Sequence, residues 1–225
     1  MKIALFGASG MIGHGVLREC LKDPSVSKVI SVGRRSLVEQ HPKLIQHAPP
    51  DLFDLRDLAN DLTGLDACFF CLGVSAAGMS DARYRHITHD LTVSVASTLL
   101  RLNPGMSFVY VSGAGSDSTG QGRAMWARVK GATENALLRM PFKAAFMFRP
   151  NLIIPLDGIK SRTRSYRLFY KVAGPLLKLT YGHWPSSTTT TENMGLAMLN
   201  LMRHGGSDII LHGQEINRAA GGIAC

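Results

Sequence analysis

Three regularly spaced glycines follow the first apolar run of the chain. Gly7, Gly10 and Gly13 lie in "ALFGASGMIGHG", between a predicted strand and the start of a predicted helix. Glycines there permit a tight turn and a close backbone approach, while the free N–H groups and the dipole of the helix attract a pyrophosphate. The GxxGxxG pattern therefore predicts a dinucleotide-binding loop rather than a purely structural turn. The predicted contact residues are Gly7, Ser9, Gly10, Met11, Ile12 and Gly13.

Two arginines follow the second predicted strand, in "SVGRRS". A site that prefers NAD normally has Asp or Glu there to bind the ribose 2′-hydroxyl, whereas arginine can accept a 2′-phosphate. The guanidinium fork pairs well with phosphate, so Arg34 and Arg35 predict NADP(H); two solvated arginines are the alternative. Asp54, in "DLFDL" after the third strand, is expected either to accept from the adenine amino group or to cap a helix.

A third candidate site is the stretch "MWARVKGATE", where Trp126 comes one helical turn before Lys130. The indole N–H can donate a hydrogen bond but cannot exchange a proton at useful pH, so Trp126 is not expected to do acid–base chemistry. A tryptophan in the core and a lysine at the surface are the alternative.

Short apolar runs alternate with amphipathic stretches, and this rhythm predicts the elements that position these residues. Parallel βαβ units with right-handed crossovers follow from strands separated by helices of this length. We predict an α/β fold, a Rossmann-type doubly wound parallel sheet with helices on both faces and a small C-terminal substrate-side lobe, as a single NAD(P)-binding domain over residues 1–225. The predicted strands are "KIALFG", "KVISVG", "KLIQH", "ACFFCLG", "SFVYVSG", "KAAFMFRP" and "DIILHG", with helices near Met11–Leu21, Asp81–Leu102, Arg123–Met140 and Glu192–His204 and a bridge "PSSTTTTEN".

The charge of the chain is concentrated in one segment. The formal net charge is +9, and residues 158–191 contain six cations and no acidic residue. Within 156–191 we predict a basic helix over the substrate side, which could recruit an anionic substrate, contact an anionic membrane surface or bind a partner protein. Nucleic-acid binding is disfavoured because no recognised motif accompanies the charge. The six cations are Lys160, Arg162, Arg164, Arg167, Lys171 and Lys178.

Two further patterns suggest metal or redox chemistry but favour simpler explanations. Cys68 and Cys71 in "CFFC" would point to opposite faces of a strand, so buried thiols are expected rather than shared ligands or a disulfide. His86 and His89 share one helix face but lack a third ligand nearby, so no metal is predicted. The apolar start is too short for a membrane span or a signal peptide, and a cytoplasmic location is expected.

Several motifs together resemble the short-chain dehydrogenase/reductase superfamily in its extended and atypical branches. They are "GASGMIG" after the first strand, "FCLG" after the fourth, "VYVSG" ending the fifth, Lys130 in the next helix, and "FRPNLI" after the sixth. The chain looks most like the NAD(P)H-binding group that contains Tat-interacting-protein-like oxidoreductases and NAD-dependent epimerase/dehydratase-like proteins.

This resemblance implies roles for several residues. The family's chemistry uses a Ser to hold the substrate oxygen, a Tyr to pass a proton, and a Lys one turn later to lower the Tyr pKa and hold the nicotinamide ribose. Ser112 and Lys130 match two of these positions and are the predicted catalytic residues, whereas Trp126 occupies the third. The change removes a general acid–base contribution of roughly 10² to 10⁴-fold. Further cofactor contacts are expected from Leu72, Gly73, Lys130 and Pro150.

The missing tyrosine leaves several functions open. Tyr84 or Tyr110 could replace it, or a conjugated acceptor could take hydride and draw its proton from solvent. We therefore expect an NADP(H)-binding atypical oxidoreductase, or an epimerase-like protein, acting on a small molecule. The alternative is a non-catalytic NADPH-binding sensor or scaffold. The helices near residues 81–102 and 123–140 form the dimer face in many relatives, so a homodimer is one expected state.

Overall fold

The computed structural model describes residues 1–156 and 188–222, and within these ranges the chain forms nine strands and six α-helices. The strands are β1 Lys2–Phe6, β2 Lys28–Val32, β3 Leu44–His47, β4 Ala67–Phe70, β5 Ser107–Val111, β6 Ala144–Arg149, β7 Leu152–Ile154, β8 Thr188–Thr190 and β9 Ile210–His212. The helices are α1 Met11–Lys22, α2 Asp81–Arg85, α3 Leu91–Leu102, α4 Met125–Leu138, α5 Thr191–His204 and α6 Gly213–Ala220.

Seven strands form one parallel sheet in the order β3-β2-β1-β4-β5-β6-β9. The chain first builds outward from β1 to β3 and then returns to add β4 on the other side of β1. This reversal opens a crevice at the carboxyl ends of β1 and β4, the place where open α/β sheets bind ligands. The predicted Rossmann-type doubly wound fold is confirmed.

Apolar side chains cover both faces of the sheet, as is usual for parallel sheets. Ile3 and Leu5 belong to the core under α1, α5 and α6, whereas Ala4 and Phe6 belong to the core under α3. Strands covered on both faces are near-continuous apolar runs, as "KIALF" is. The apolar strands therefore form one hydrophobic core on each face of the sheet, and the crevice lies at the carboxyl ends of the strands.

The structure differs from the sequence prediction in three connecting regions. The predicted helix over residues 81–102 contains a π-helical turn, His86–Asp90, between α2 and α3. The predicted bridge includes β8, three β-branched residues that pair with β7 in a second, two-stranded parallel sheet. Helix α6 was not predicted. Most of the basic segment within 156–191 lies outside the described residues, and its role stays a prediction, as does the assignment of residues 1–225 to one domain.

Helices α1 and α5 pack unusually closely through two glycines. A Cβ atom at Gly15 would lie 2.6 Å from the Thr191 Cβ, and one at Gly195 would lie 2.9 Å from the Glu19 Cβ. Any side chain at either glycine would push the helices apart. The helix that follows the glycine loop is thus fitted directly to the C-terminal part of the chain. No helix among the described residues is long and apolar enough to cross a membrane.

Candidate functional site

The glycine loop joins β1 to α1 at the crevice, and two of its glycines are required by the protein itself. Gly7 has φ +86°, and a Cβ there would lie 2.6 Å from the Leu72 backbone nitrogen just after β4. A Cβ at Gly13 would lie 2.2 Å from the Gly7 carbonyl oxygen. Both contacts are with backbone atoms that cannot move aside cheaply. Gly7 and Gly13 therefore bring the loop close to β4 and α1 close to the loop.

The middle glycine has a different environment. Gly10 has φ −85° and ψ 167°, an extended conformation that any residue adopts, and its Cβ would meet only the Gly7 oxygen, at 3.3 Å. Backbone strain therefore does not account for a glycine at this position, and the single tight contact requires only a shift of a few tenths of an ångström. Helix α1 starts here with no side-chain cap and no acidic residue in its first turn. The predicted contacts Met11 and Ile12 lie in this first turn, an arrangement suited to an anion.

The two arginines lie in the arginine loop, residues 33–43, between β2 and β3. Arg34 and Arg35 are exposed, and among residues 1–156 and 188–222 neither guanidinium has an ion-pair partner. The loop is nevertheless held in place, since the Leu37 N–H donates to Gln46 Oε1 at 2.6 Å and Gln46 Nε2 donates to the Glu39 carbonyl at 2.7 Å. Two available cations thus follow β2, where an acidic residue would bind a ribose hydroxyl.

Asp54 is engaged with Arg56. Its carboxylate accepts from the Arg56 backbone N–H at 3.1 Å and from the guanidinium at 2.9 and 2.6 Å. The side-chain hydrogen bond from Arg56 lowers the pKa of Asp54 to about 2. The contact with the Arg56 N–H is a local turn just before the 3₁₀ turn Arg56–Leu58, whose N-cap is Leu55 without a side-chain cap, so Asp54 is not the helix cap. Contact with adenine stays a prediction.

Ser112 follows β5, but its hydroxyl is directed into the protein. It donates to Glu134 Oε1 at 2.5 Å and lies 3.1 Å from the Phe148 carbonyl oxygen. Ser112 is 5% exposed and Glu134 is completely buried. In this structure a buried carboxylate in α4 binds the hydroxyl of Ser112, and its catalytic role stays a prediction.

Glu134 also forms an ion pair with Arg149, the last residue of β6. Arg149 Nε donates to Glu134 Oε1 at 3.0 Å, its Nη2 donates to Oε2 at 2.5 Å, and Nη2 reaches the Ser118 hydroxyl at 2.6 Å. The hydrogen bond and charge of Glu134 raise the pKa of Arg149. We name Ser112, Glu134 and Arg149 the buried polar network, because they share the completely buried Glu134 carboxylate, and the exposed Ser118 lies at its outer end. The network fixes the segment after β5 to α4 and β6.

Lys130 lies one helical turn before Glu134 on α4, and its Nζ donates to the Ser112 carbonyl oxygen. Burial lowers the pKa of Lys130 to about 8, against an opposing effect of the Glu134 charge. Lys130 lies in the helix after β5, where the sequence places it, and its predicted contact with the cofactor ribose stays a prediction. In this structure its donor is directed at the main chain of Ser112.

None of the aromatic residues considered for proton transfer is placed to do it. Trp126 is 36% exposed, and its ring packs on Gly115, whose Cβ would lie 3.2 Å from the indole. Tyr84 and Tyr110 are each 1% exposed, and burial raises the pKa of both phenols. Tyr110 packs near Phe70 in the core. The structure therefore gives no support to either tyrosine as the replacement proton donor.

The remaining predicted cofactor residues lie at the carboxyl ends of the central strands. Leu72 contacts the Gly7 backbone, and Gly73 is exposed with open space beside it. Pro150 is buried, and its carbonyl accepts from the Ala114 N–H at 3.0 Å, so it ties β6 to the segment after β5. The crevice thus brings together the ends of β1, β4, β5 and β6.

Cys20, Cys68 and Cys71 are free thiols, and burial raises the pKa of Cys71 to about 12. His86 stacks on Phe53 with ring centroids 4.7 Å apart, while His89 Nδ1 lies 2.8 Å from Asp90. Within residues 1–156 and 188–222 there is no cluster of three metal-ligating side chains.

Sequence reasoning missed Glu134, Arg149 and Gln46. Glu134 is one turn beyond Lys130 in "KGATE", where a glutamate looks like an ordinary solvated helix residue. The signal in the sequence is a glycine inside the helix, Gly131, three residues before Glu134. The structure gives its reason: a Cβ at Gly131 would lie 1.8 Å from the Asp117 carbonyl oxygen, so this side of the helix is covered. Gln46 is a lone polar residue in a short edge strand and carries no comparable signal.

Comparison with known proteins gives distant relatives. No protein-family model matches the chain. It is 25% identical to the protein fmp52, mitochondrial, of Emericella nidulans, across 95% of this chain and 99% of that protein. It is 29% identical to the protein fmp52-1, mitochondrial, of Aspergillus terreus, across 72% of this chain and 69% of that protein.

Similar solved structures share the fold at low identity. The dTDP-glucose 4,6-dehydratase DesIV of Streptomyces venezuelae with NAD bound has a TM-score of 0.68 at 16% identity, covering 98% of this chain and 80% of DesIV. WbmH of Bordetella bronchiseptica in complex with NAD⁺ has a TM-score of 0.66 at 17% identity, covering 94% and 74%. A short-chain dehydrogenase family protein of Francisella tularensis has a TM-score of 0.63 at 17% identity, covering 95% and 98%.

These findings overturn one expectation and support another. The expected cytoplasmic location is wrong, because the curated relatives are named mitochondrial proteins. Two of the structural neighbours, DesIV and WbmH, have NAD bound in their structures. The structural neighbours share the Rossmann-type fold of this chain, in agreement with the predicted fold.

Proposed function

We propose that the protein is an NADP(H)-binding oxidoreductase of the atypical short-chain type. The observation that carries this proposal is the geometry of Gly10, where neither the backbone conformation nor the described packing requires a glycine. A pyrophosphate at the uncapped start of α1 does require one, because a side chain would occupy the space of the phosphates. Met11 and Ile12 would then present main-chain N–H groups to the same anion.

The proposed preference for NADP(H) over NAD(H) rests on the arginine loop. Arg34 and Arg35 are exposed at the end of β2 and have no carboxylate partner among the described residues. A guanidinium can bind a 2′-phosphate through two parallel hydrogen bonds, and a phosphate near two unpaired cations gains charge stabilisation. We therefore expect the 2′-phosphate to increase the affinity.

The proposed acceptor is a small conjugated molecule that draws its proton from water. The bound nicotinamide would supply a hydride to one end of the conjugated system, and a solvent proton would complete the reduction. Trp126 cannot donate a proton, and the Ser112 hydroxyl is bound to Glu134. Lys130 of α4 has its Nζ beside the end of β5, and this ammonium group would exchange the Ser112 carbonyl for the ribose hydroxyls of the cofactor. The names of the curated relatives support a mitochondrial location.

A second candidate is a non-catalytic NADPH sensor or scaffold. The buried polar network favours it, because Ser112 serves the packing of β5, β6 and α4 rather than facing the crevice. Such a protein would bind the cofactor tightly and transfer no hydride. Its output would be a surface that changes with cofactor occupancy.

One experiment tests both candidates. The purified protein is titrated with NADPH and NADH, followed by cofactor fluorescence, and NADPH oxidation is then measured with quinones and flavins. We expect tighter binding of NADPH, and Arg34→Ala should remove most of the difference, whereas Arg139→Ala, a change of an exposed arginine at the end of α4, should leave it unchanged. Equal affinities in the wild type would refute the NADP(H) preference. Tight binding without turnover would favour the sensor.

A further inference from the structure

Gln46 connects the arginine loop to the sheet through both ends of its amide. It lies in the edge strand β3, opposite Ser31 of β2, and is partly buried. Its Oε1 accepts from the Leu37 N–H at 2.6 Å, and its Nε2 donates to the Glu39 carbonyl at 2.7 Å. One side chain thereby satisfies two main-chain groups of a loop that has no regular secondary structure.

The same loop is tied to the start of α1 and to the sheet. The Glu39 carboxylate lies 2.7 Å from Nε2 of His14, which follows Gly13 in α1. At the other end of the loop, the Gly33 N–H donates to the His47 carbonyl at 3.1 Å. The side chain of Val38, between Leu37 and Glu39, is 95% exposed, whereas Leu37 packs partly against the core, so the Leu37 side chain and the Gln46 hydrogen bonds together hold this part of the loop.

We propose that Gln46 is a positioning residue that sets the specificity of the site for a nucleotide carrying a 2′-phosphate. This inference rests on the proposed NADP(H) preference and names a residue that would cause that preference. Gln46 does not touch the cofactor; it fixes the backbone that carries Arg34 and Arg35. An ordered loop presents its guanidinium groups without first losing conformational freedom, so less of the interaction with the phosphate is spent on ordering.

The expected effect is selective for the phosphate. Gln46→Met keeps the length and packing of the side chain and removes both hydrogen bonds. We expect the Kd for NADPH to rise about 10-fold, the equivalent of about 1.4 kcal/mol, which lies within the range for two lost hydrogen bonds. The Kd for NADH should stay within about 2-fold of the wild type, because NADH lacks the group that the loop binds. A general loss of structure would instead weaken the binding of both NADPH and NADH.

The test is a comparison of the NADPH and NADH affinities of Gln46→Met, Arg34→Ala and the double variant. Gln40→Met, a change of an exposed glutamine in the same loop, is the matched control and should behave as the wild type. If Gln46 acts through Arg34, the two changes are not additive, and the double variant should bind NADPH little worse than Arg34→Ala. Full additivity, or an unchanged ratio of affinities in Gln46→Met, would overturn the inference.

The two proposals fail in different ways. A wild type that does not discriminate between NADPH and NADH contradicts the NADP(H) preference itself. A wild type that prefers NADPH and keeps its preference in Gln46→Met contradicts only the role of Gln46.

Two further measurements do not depend on the folding of that variant. Gln46→Asn keeps the amide but is one methylene too short for both bonds, and it should shift the ratio in the same direction. In the wild type, the Leu37 amide should exchange with solvent much more slowly than the Val38 amide, and equal exchange rates would also overturn the inference.

Discussion

Substitution of Gly10 should affect cofactor binding but not stability, whereas substitution of Gly7 or Gly13 should lower the stability of the fold. Gly10→Val places its Cβ in open space apart from the contact of 3.3 Å with the Gly7 oxygen, on a backbone that suits a β-branched residue. The unfolded chain loses some freedom when Gly is replaced, which stabilises the fold by about 0.4–1 kcal/mol and offsets the tight contact. We expect the free energy of unfolding to stay within about 1 kcal/mol of the wild type.

Gly7→Ala and Gly13→Ala are the comparison. At Gly7 the left-handed conformation costs an alanine about 1–2 kcal/mol, and the contact of 2.6 Å with the Leu72 nitrogen adds about 1–3 kcal/mol of overpacking. At Gly13 a contact of 2.2 Å with the Gly7 oxygen has a similar overpacking cost of about 1–3 kcal/mol. Urea unfolding should therefore rank both variants well below Gly10→Val in stability.

The affinity for NADPH should not follow the stability of these glycine variants. Gly10→Val should weaken NADPH binding at least about 100-fold, or about 2.7 kcal/mol, because the valine side chain fills the space of the pyrophosphate. Fluorescence titration of the folded variant measures this directly. Wild-type affinity in Gly10→Val would show that the start of α1 is not the pyrophosphate site. A loss of stability as large as that of Gly13→Ala would refute the packing argument.

Three further predictions concern α4. Glu134→Leu should lower the free energy of unfolding by about 1–3 kcal/mol in urea, because it leaves the partly buried Arg149 guanidinium without its carboxylate; adding Arg149→Met should recover part of this loss, and failure to do so would contradict a paired charge. Lys130 has a folded-state pKa of about 8, below its usual 10.5, so the unfolded chain binds more protons between these values and stability should rise by up to about 3 kcal/mol from pH 8 to 10.5. Lys130→Met should abolish this rise, and a persisting rise would assign it to another group. Trp126→Tyr should not restore NADPH-dependent reduction of small aldehydes, because the Ser112 hydroxyl stays on Glu134; turnover in this variant would show that the hydroxyl reaches the substrate.

The fold was predictable because the sheet is covered on both faces. Each buried strand appears in the sequence as a short apolar run, and the helices between them have the length of crossover connections. The predicted helix near Met11–Leu21 is observed as Met11–Lys22, and the predicted "KVISVG" strand as Lys28–Val32. Strand β8 is not predicted because three threonines have no apolar periodicity, and β7 because its three residues, LII, follow β6 too closely to stand out as a separate strand.

The candidate site was predictable only where local chemistry determines the geometry. A glycine loop between a strand and a helix, and arginines at a strand end, have consequences that depend on few neighbours. The orientation of Ser112 depends instead on Glu134, which is distant in sequence and is buried only because α4 packs against β5 and β6. The same holds for Gln46, whose partners lie in an irregular loop. Long-range polar contacts of this kind leave no pattern in the sequence.

The close packing of α1 on α5 through Gly15 and Gly195 has a consequence for the order in which a newly synthesised chain acquires its structure. Helix α1 leaves the ribosome long before α5, but Val16 and Leu17 belong to a core that also contains α5 residues such as Met194. Until α5 has been synthesised, that apolar face has no partner, and contacts between segments so distant in sequence form late. The glycine loop, although translated before α5 and α6, should therefore reach its final geometry only when these helices have folded against it.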